Sequence, residues 1–507
     1  MADITPFATP QMPDALVTTA YEKAATKSVM AAVNNAVFFG YFSVCADGKG
    51  HGHDTTFPGL DWGQSAEALL WLGRADLVRA SWEYVKSFQR EDGLLPFAII
   101  PGQADKNVEV LGNKMRIEAN GGIYVHWAPG NPFRTLAQVT YIQMADAIFR
   151  HTQDGGWLRE QIPSLKRTVQ WLKGTIDAQD LVVGGGHYLE RPTRLEHDGV
   201  SQCYNIDAYR LAAGLFKRIG DAAAAKDCQE VAERLTAAFR KLFWAGDQCV
   251  EYLDPVRGPI HNHGLTDVDW IAVATRAASP EQLKVLWPKL LAASDFVYNG
   301  IPTGIATKPE TYADWEISSD RHDISAMGRV WYLEAWARGQ MRDADGLLNS
   351  LRLVAEAGKA NDWYWVERYY SARTGDLSTY RFNTYVEYPA CLIRIVNRFL
   401  LGIEYGLDGS LVLAPNAPDP FWVEGFGQKL AWGGRSLDFR FRGAGLKGSY
   451  TGRTGLRMRV RLRSAGETAL LVNGQPAKAT ARDDWVEFDL PTSRASCSFE
   501  LTGSPQG

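Results

Sequence analysis

Apolar residues recur along most of this chain at i, i+3, i+4 and i+7, the spacing that lines one face of a helix, and they predict about twelve helices. In chain order these run from Leu16 to Ala36, Trp62 to Gly73, Ala75 to Gln89, Arg134 to Thr152, Trp157 to Ile176 and Ser201 to Gly220. The remainder run from Ala222 to Phe243, Leu265 to Ala277, Pro280 to Ser294, Ser319 to Arg338, Asp343 to Gly358 and Arg381 to Leu401. Five of the gaps between them hold only a few residues: Gly73-Arg74, Gln153 to Gly156, Gly220-Asp221, Ala278-Ser279 and Gly339 to Arg342. Turns that short fold consecutive helices back on one another.

The other connections alternate with the tight turns and are long: Val37 to Asp61, Arg90 to Phe133, Asp177 to Val200, Trp244 to Gly264, Asp295 to Ser318 and Lys359 to Tyr380. Each is about twenty residues or more, well beyond the usual connection, which predicts a functional use. Helical hairpins whose long loops all fall at one end describe an (α/α)6 toroid with a single working face. After Leu401 the pattern changes to short alternating stretches, Leu411 to Leu413, Leu437 to Phe441, Leu456 to Leu462, Ala469 to Val472 and Val486 to Leu490, with an Asn473-Gly474 hairpin signal. The expected organisation is an N-terminal extension over 1–15, a barrel over 16–403 and a small antiparallel β-sandwich over 404–507.

With 507 residues, 46% of them hydrophobic, the chain has enough material for one large domain and a small one. A formal charge of −4 gives no basic footprint for nucleic acid, and no apolar run is long enough to span a bilayer. Neither nucleic acid nor membrane is expected as a partner; a homo-oligomer is left open. Met1 to Ala15 lacks a basic stretch followed by an apolar one, so the expected location is cytoplasmic, a removed leader aside. Cys45, Cys203, Cys228, Cys249, Cys391 and Cys497 show no metal-finger spacing and read as free thiols. His261 and His263 form an HxH pair without a third ligand nearby, so no metal is expected, and no organic cofactor either.

The long loops concentrate Trp, Tyr, His, Arg and carboxylates, a mixture suited to sugars, whose C–H faces lie on aromatic rings while their hydroxyls bond to charged groups. Cleaving a glycosidic bond needs one protonated carboxyl for the leaving oxygen and one ionised carboxyl to activate water or attack. Glu367, inside Trp363-Tyr364-Trp365-Val366-Glu367-Arg368-Tyr369-Tyr370, is the candidate base, and Glu190, after the glycine run Gly184 to Gly186, is the candidate acid. Glu316 is the runner-up for either post. Asp61, Trp62, Trp127, Arg194, Trp315, Glu316, Trp363, Trp365 and Asn383 are the candidate substrate-binding residues, with Asp61 also placed to cap the second helix. Serine-nucleophile and P-loop chemistry are not indicated, since neither GxSxG nor a GK[ST] after the glycine run occurs.

The hairpin rhythm, the stretch Phe57 to Ala66, the loop Gly185 to Arg194 and the segment Trp363 to Gly375 followed by Phe382 to Pro389 resemble the six-hairpin glycosidase superfamily. The end of the helical region is most similar to bacterial α-L-rhamnosidases, in which a Trp-Glu-Arg segment carrying the base precedes an Asn-containing last helix and a β-domain. Trp365-Val366-Glu367-Arg368 and Phe382-Asn383-Thr384-Tyr385 stand in those places, with one residue inserted; the rhamnosidase acid motif is not reproduced in Gly52 to Ala66. Glucoamylases place their acid before the sixth helix, where Glu190 stands. These resemblances imply an inverting exo-acting α-glycosidase working on an oligosaccharide or other glycoside of α-L-rhamnoside or α-D-glucoside type. The alternatives are an inverting phosphorylase or polysaccharide lyase on the same toroid, and a carbohydrate-binding protein without catalysis.

Overall fold

The computed structural model describes residues 7–36, 38–46, 57–58, 60–96, 98–101, 109–110, 113–114, 123–126, 135–184, 196–293, 296–298, 300–302, 304–313, 315–316, 328–365, 368–370, 377–379, 384–463 and 467–503. Of these, 57–58, 60–62, 64, 98, 100–101, 109–110, 113–114, 123–126, 298, 368–370, 377–379 and 494–495 are described by their backbone. The chain is mainly helical, with β-sheets at its C-terminal end.

Among the described residues, helices lie at every place where the spacing predicts one. They are α1 Ala15–Lys23, α2 Leu60–Trp71, α3 Ala75–Lys86, α4 Leu136–Thr152, α5 Gly155–Lys173, α6 Gly199–Arg218, α7 Ala222–Leu242, α8 Asp267–Ala274, α9 Pro280–Ala292, α10 Gly328–Met341, α11 Ala344–Ala360 and α12 Glu387–Ile395. Each tight turn has the same local logic: a residue with left-handed backbone (Gly73, Gln153, Gly220, Arg276, Arg342) ends the first helix. In four of the five turns, a side chain that accepts a backbone N–H, from Asp154, Asp221, Ser279 or Asp343, then starts the next.

The even-numbered helices touch in sequence, α2 to α4, α6, α8, α10 and α12, and α12 returns to α2, which closes a ring. Each of α3, α5, α7, α9 and α11 packs outside against the even helix it is joined to by a tight turn, and α1 packs against α11. The ring helices therefore run the same way, with their N-termini toward the long connections. Aromatic packing locks neighbouring hairpins together: Trp82 of α3 stacks on Tyr141 of α4 at 4.1 Å and donates its Nε1 proton to the Tyr141 carbonyl at 3.0 Å.

Several boundaries differ from expectation: the first helix, expected to reach Ala36, ends at Lys23 and continues as a π-helical turn, Ala24–Val29. The last ring helix begins at Glu387, not Arg381; Tyr385 instead sits in a bridge to Cys45, and Pro389 falls in the first turn, where its missing N–H is harmless. Asp61 is the second residue of α2 and not the one before it, so the capping role expected of it falls away. α10 is described from Gly328; its expected start at Ser319 lies outside the described residues.

The C-terminal strands are β1 Ile403–Tyr405, β2 Leu411–Leu413, β3 Phe426–Trp432, β4 Arg435–Arg442, β5 Gly445–Gly452, β6 Leu456–Arg461, β7 Thr468–Val472, β8 Gln475–Ala477, β9 Ala479–Arg482, β10 Trp485–Leu490 and β11 Ser493–Gly503. They form one sheet ordered β1-β2-β6-β10-β9 and another ordered β3-β4-β5-β11-β7-β8. The expectation of a purely antiparallel arrangement is corrected at β2 and β6, which pair in parallel; the chain between them passes through α13, Asp419–Glu424, and three strands of the other sheet, ample length for a parallel crossover. Asn473 and Gly474, both left-handed, make the two-residue hairpin between β7 and β8. Phe488 of one sheet meets Phe499 of the other with ring centroids 6.0 Å apart.

The strands dock against the tight-turn end of the helical ring. Tyr405 stacks on Trp71 at the end of α2 and lies edge-on to His151 at the end of α4, while Arg150 and Arg218 donate to the carbonyls of Tyr405 and Leu407 at 2.7 Å each. The opposite end is left to the long connections.

Candidate active site at the long-loop end

The candidate site is built on the N-terminal ends of the ring helices. Asp198 accepts from the Ser201 N–H at 2.7 Å to open α6, and a reciprocal box between Thr266 and Asp269 opens α8. α10 and α12 start in contact: Arg329 reaches Glu387 through its backbone N–H and, at 3.2 Å, through Nη1. A Cβ on Gly328 would lie 2.8 Å from the Tyr388 nitrogen, so only glycine allows that approach. Helix N-termini carry partial positive charge, so their convergence favours ionised carboxylates at this end.

The best-defined part of the site is a buried charged cluster. The connections before α8 and α10 are stitched by backbone hydrogen bonds from Thr307 to Leu265 at 2.9 Å and from Lys308 to His263 at 3.0 Å. Inside that seam His263 Nδ1 lies 2.5 Å from Glu251 Oε2, and Nε2 lies 3.4 Å from Glu316 Oε1. Tyr252 donates its hydroxyl to Glu316, the Ala313 N–H donates to Glu316 Oε2 at 2.7 Å, and the Tyr312 hydroxyl donates to Glu251 Oε1 at 2.6 Å. The Tyr312 ring covers the imidazole face to face at 3.7 Å.

Burial alone would strip the proton from His263, but the Glu251 and Glu316 carboxylates outweigh it and push the imidazole up to about 9. Burial likewise favours the neutral form of Glu316, yet the charge of the His263 imidazolium and the hydrogen bonds from Tyr252 and Ala313 hold it below the usual carboxylate range. Glu316 is thus an ionised side chain, 3% exposed, engaged from three sides, which suits holding two loops together and does not suit giving up a proton.

The remaining candidates are distributed as follows. Trp315 is 45% exposed and one face of its ring carries the Arg257 guanidinium at 3.7 Å. Trp363 is half-buried and has left-handed backbone, an uncommon conformation for a bulky residue that it shares with the exposed Asp362 before it, and its N–H donates to the Gly358 carbonyl at 2.6 Å. Trp365 is fully buried beneath α11, donating Nε1 to the Val354 carbonyl at 2.9 Å, so it anchors the segment leading to Glu367 from below and offers no open ring face. Asp61 and Trp62 lie in the first turn of α2, described by backbone. Glu190, Glu367, Trp127, Arg194 and Asn383 lie outside the described residues.

Glu251, Tyr252, His263 and Tyr312 escaped the sequence reading as a group. Glu251 and Glu316 are separated by two helices, and a pairing of carboxylates from different loops leaves no spacing signal.

Trp365 gives a stability prediction. A Cβ at Gly358 would fall 2.4 Å from the Trp365 ring, so Gly358→Ala forces the indole or α11 to move. Overpacking outweighs the helix-propensity gain and should cost about 1–2 kcal/mol, read from the urea midpoint.

Residues 109–309 match the family described as bacterial alpha-L-rhamnosidase 6-hairpin glycosidase domain. No curated sequence matches the chain. Among solved structures, the α-L-rhamnosidase of Dictyoglumus thermophilum superposes with TM-score 0.63 at 11% identity, covering 98% of this chain and 50% of that one. The Streptomyces avermitilis α-L-rhamnosidase complexed with L-rhamnose gives 0.58 at 13%, covering 98% and 42%. The GH63 mannosylglycerate hydrolase of Thermus thermophilus gives 0.50 at 14%, covering 75% and 99%. The chain spans half or less of the length of these two rhamnosidases. It is similar to bacterial rhamnosidases of the six-hairpin kind, in sequence over residues 109–309 and in fold beyond them. Among the described residues, no helix is long and apolar enough to cross a membrane.

Proposed function

We propose that this chain is a glycoside hydrolase, an (α/α)6 toroid over 16–403 carrying a β-sandwich over 404–507, that removes a terminal sugar from an oligosaccharide or other glycoside with inversion. The observation that carries the reading is the match of residues 109–309 to a rhamnosidase-type hairpin domain, a span that includes Trp127, Glu190 and Arg194. The closed ring of helices and its long connections at one end support it.

In this reading Glu190 protonates the leaving oxygen and Glu367 activates water. Glu367 must be ionised to take a proton from water, and Glu190 needs apolar surroundings to stay protonated against Arg191 and Arg194. Asp61, Trp62, Trp127, Arg194, Trp315, Trp363 and Asn383 would surround the terminal sugar, while Trp365 and Glu316 hold the loops. The left-handed backbone at Asp362 and Trp363 agrees with this, since such strain persists where the surroundings fix it and collects at binding sites. The chemistry requires neither metal nor organic cofactor.

Hydrolysis of aryl α-glycosides of L-rhamnose, D-glucose, L-fucose, D-galactose and D-glucuronate, with the released anomer followed by NMR, tests the reading. Inversion corresponds to carboxyl groups about 6.5–9.5 Å apart, retention to about 5 Å. Release of one sugar in inverted configuration is expected; a retained anomer would remove the inverting mechanism, and no release from the whole panel would remove the hydrolase.

A further inference from the structure

The connection from α7 to α8 forms a hairpin of Tyr252–Asp254 and Gly258–Ile260 that fixes Trp315 from two directions. From its base, the Tyr252 hydroxyl donates to Glu316, which the Ala313 N–H and His263 also hold, so the turn bearing Trp315 is pinned one residue from the indole. At its tip, Asp254 Oδ1 accepts from the Val256 and Arg257 N–H groups at 2.9 and 2.7 Å, and Gly258 follows with left-handed backbone. That turn delivers Arg257, whose guanidinium carbon lies 3.7 Å from the centroid of the Trp315 ring while Nη1 stays 3.5 Å from Asp254 Oδ1.

The hairpin also adjoins the chain that carries Glu190. Tyr252 and Leu253 pair with Asp198 and His197, which follow that segment directly, and the segment's two ends meet where the Gly184 N–H donates to the Glu196 carbonyl at 2.7 Å. Trp315 is thus presented beside the candidate acid, on the working face of the ring.

Holding this indole still does little for folding, because a surface cation–π pair is weak and the ring stays 45% exposed. It does more for a ligand. The face away from Arg257 is an apolar plate suited to the C–H side of a sugar ring, and a plate that is already fixed needs no ordering when the sugar arrives. Arg257 covers the other face, so it meets the sugar through the indole.

We propose that Arg257 is a positioning residue: from the tip of the 252–260 hairpin it holds the Trp315 indole as a fixed platform for a sugar ring. This rests on the reading of the long-loop end as a sugar site.

Isothermal titration with free L-rhamnose, D-glucose, L-fucose, D-galactose and D-glucuronate, and kinetics on the aryl α-glycoside that the wild type hydrolyses, test it on the wild type, Arg257→Ala, Trp315→Ala and the double variant. Both side chains are exposed, so the variants keep the fold. At least one sugar is expected to bind the wild type and to bind Arg257→Ala about three- to tenfold more weakly, the cost of ordering one side chain. Trp315→Ala should lose at least as much, and the double variant no more than Trp315→Ala, because Arg257 acts only through the indole. KM should rise in step while kcat stays within about twofold. No binding by the wild type overturns the proposal, as does affinity unchanged in Arg257→Ala or losses that add in the double variant. Hydrolysis with unchanged affinity in Arg257→Ala removes the platform and leaves the hydrolase standing; the expected pattern of affinities without hydrolysis removes the hydrolase and leaves the platform.

Discussion

Glu367→Gln should lower kcat by about 10²–10⁴-fold while leaving the urea midpoint within a few tenths of a molar of the wild type, because general-base assistance contributes that much and an amide cannot accept the proton from water. The substitution preserves shape, so a loss confined to kcat with KM little changed separates chemistry from binding. The segment is held from the preceding side by Trp365, whose indole is fixed to the Val354 carbonyl, and by the Trp363 N–H on Gly358. A change in folding would therefore show in the near-ultraviolet signal of the buried Trp365. Unchanged kcat would take Glu367 out of the mechanism; a collapse of kcat and stability together would make it structural. Glu190→Gln is the informative companion: with an aryl leaving group that needs little protonation, its rate should fall far less than with an alkyl one, whereas the Glu367 variant should be slow with both.

Much of the architecture was legible because it is written in local chemistry. Helical periodicity located every ring helix, and Asp154, Asp221 and Asp343, each after a left-handed residue, mark the tight turns in the sequence itself. What was missed depended on neighbours distant in the chain. The parallel pairing of Leu411–Leu413 with Leu456–Arg461 cannot be read from strand alternation, which is the same for either direction. Trp365 and Trp363 look equivalent in an aromatic run, yet the first is fully buried and the second half-buried with left-handed backbone. Glu316 was weighed as a carboxylate able to meet substrate, and the fold engages it with Tyr252 and His263 from another loop. The HxH spacing at His261 and His263 gives no sign of a partner for His263, which bridges two carboxylates that arrive through tertiary structure.

That bridge carries the second large effect. His263→Leu should destabilise the protein by about 3–5 kcal/mol near pH 6, because it removes the imidazolium that lies between the Glu251 and Glu316 carboxylates in a buried seam. The pH dependence identifies the cause. His263 is raised from 6.5 unfolded to about 9 folded, so its contribution is fully present below about pH 6.5 and is lost as pH rises through 9. Asp269, pushed up to about 7 by burial, titrates below most of this window, and the buried thiols of Cys203 and Cys228, raised by burial, destabilise the wild type above it, but both act equally on the variant. The difference in urea midpoint between wild type and His263→Leu should therefore be largest near pH 6 and shrink toward pH 9.5. A constant difference would mean that the imidazole acts by packing against Tyr312 and not by charge. Because the seam joins the connection before α8 to the one carrying Trp315, the variant should also raise KM for any sugar that lies against Trp315, while the Glu367 post, set on another segment, keeps its chemistry.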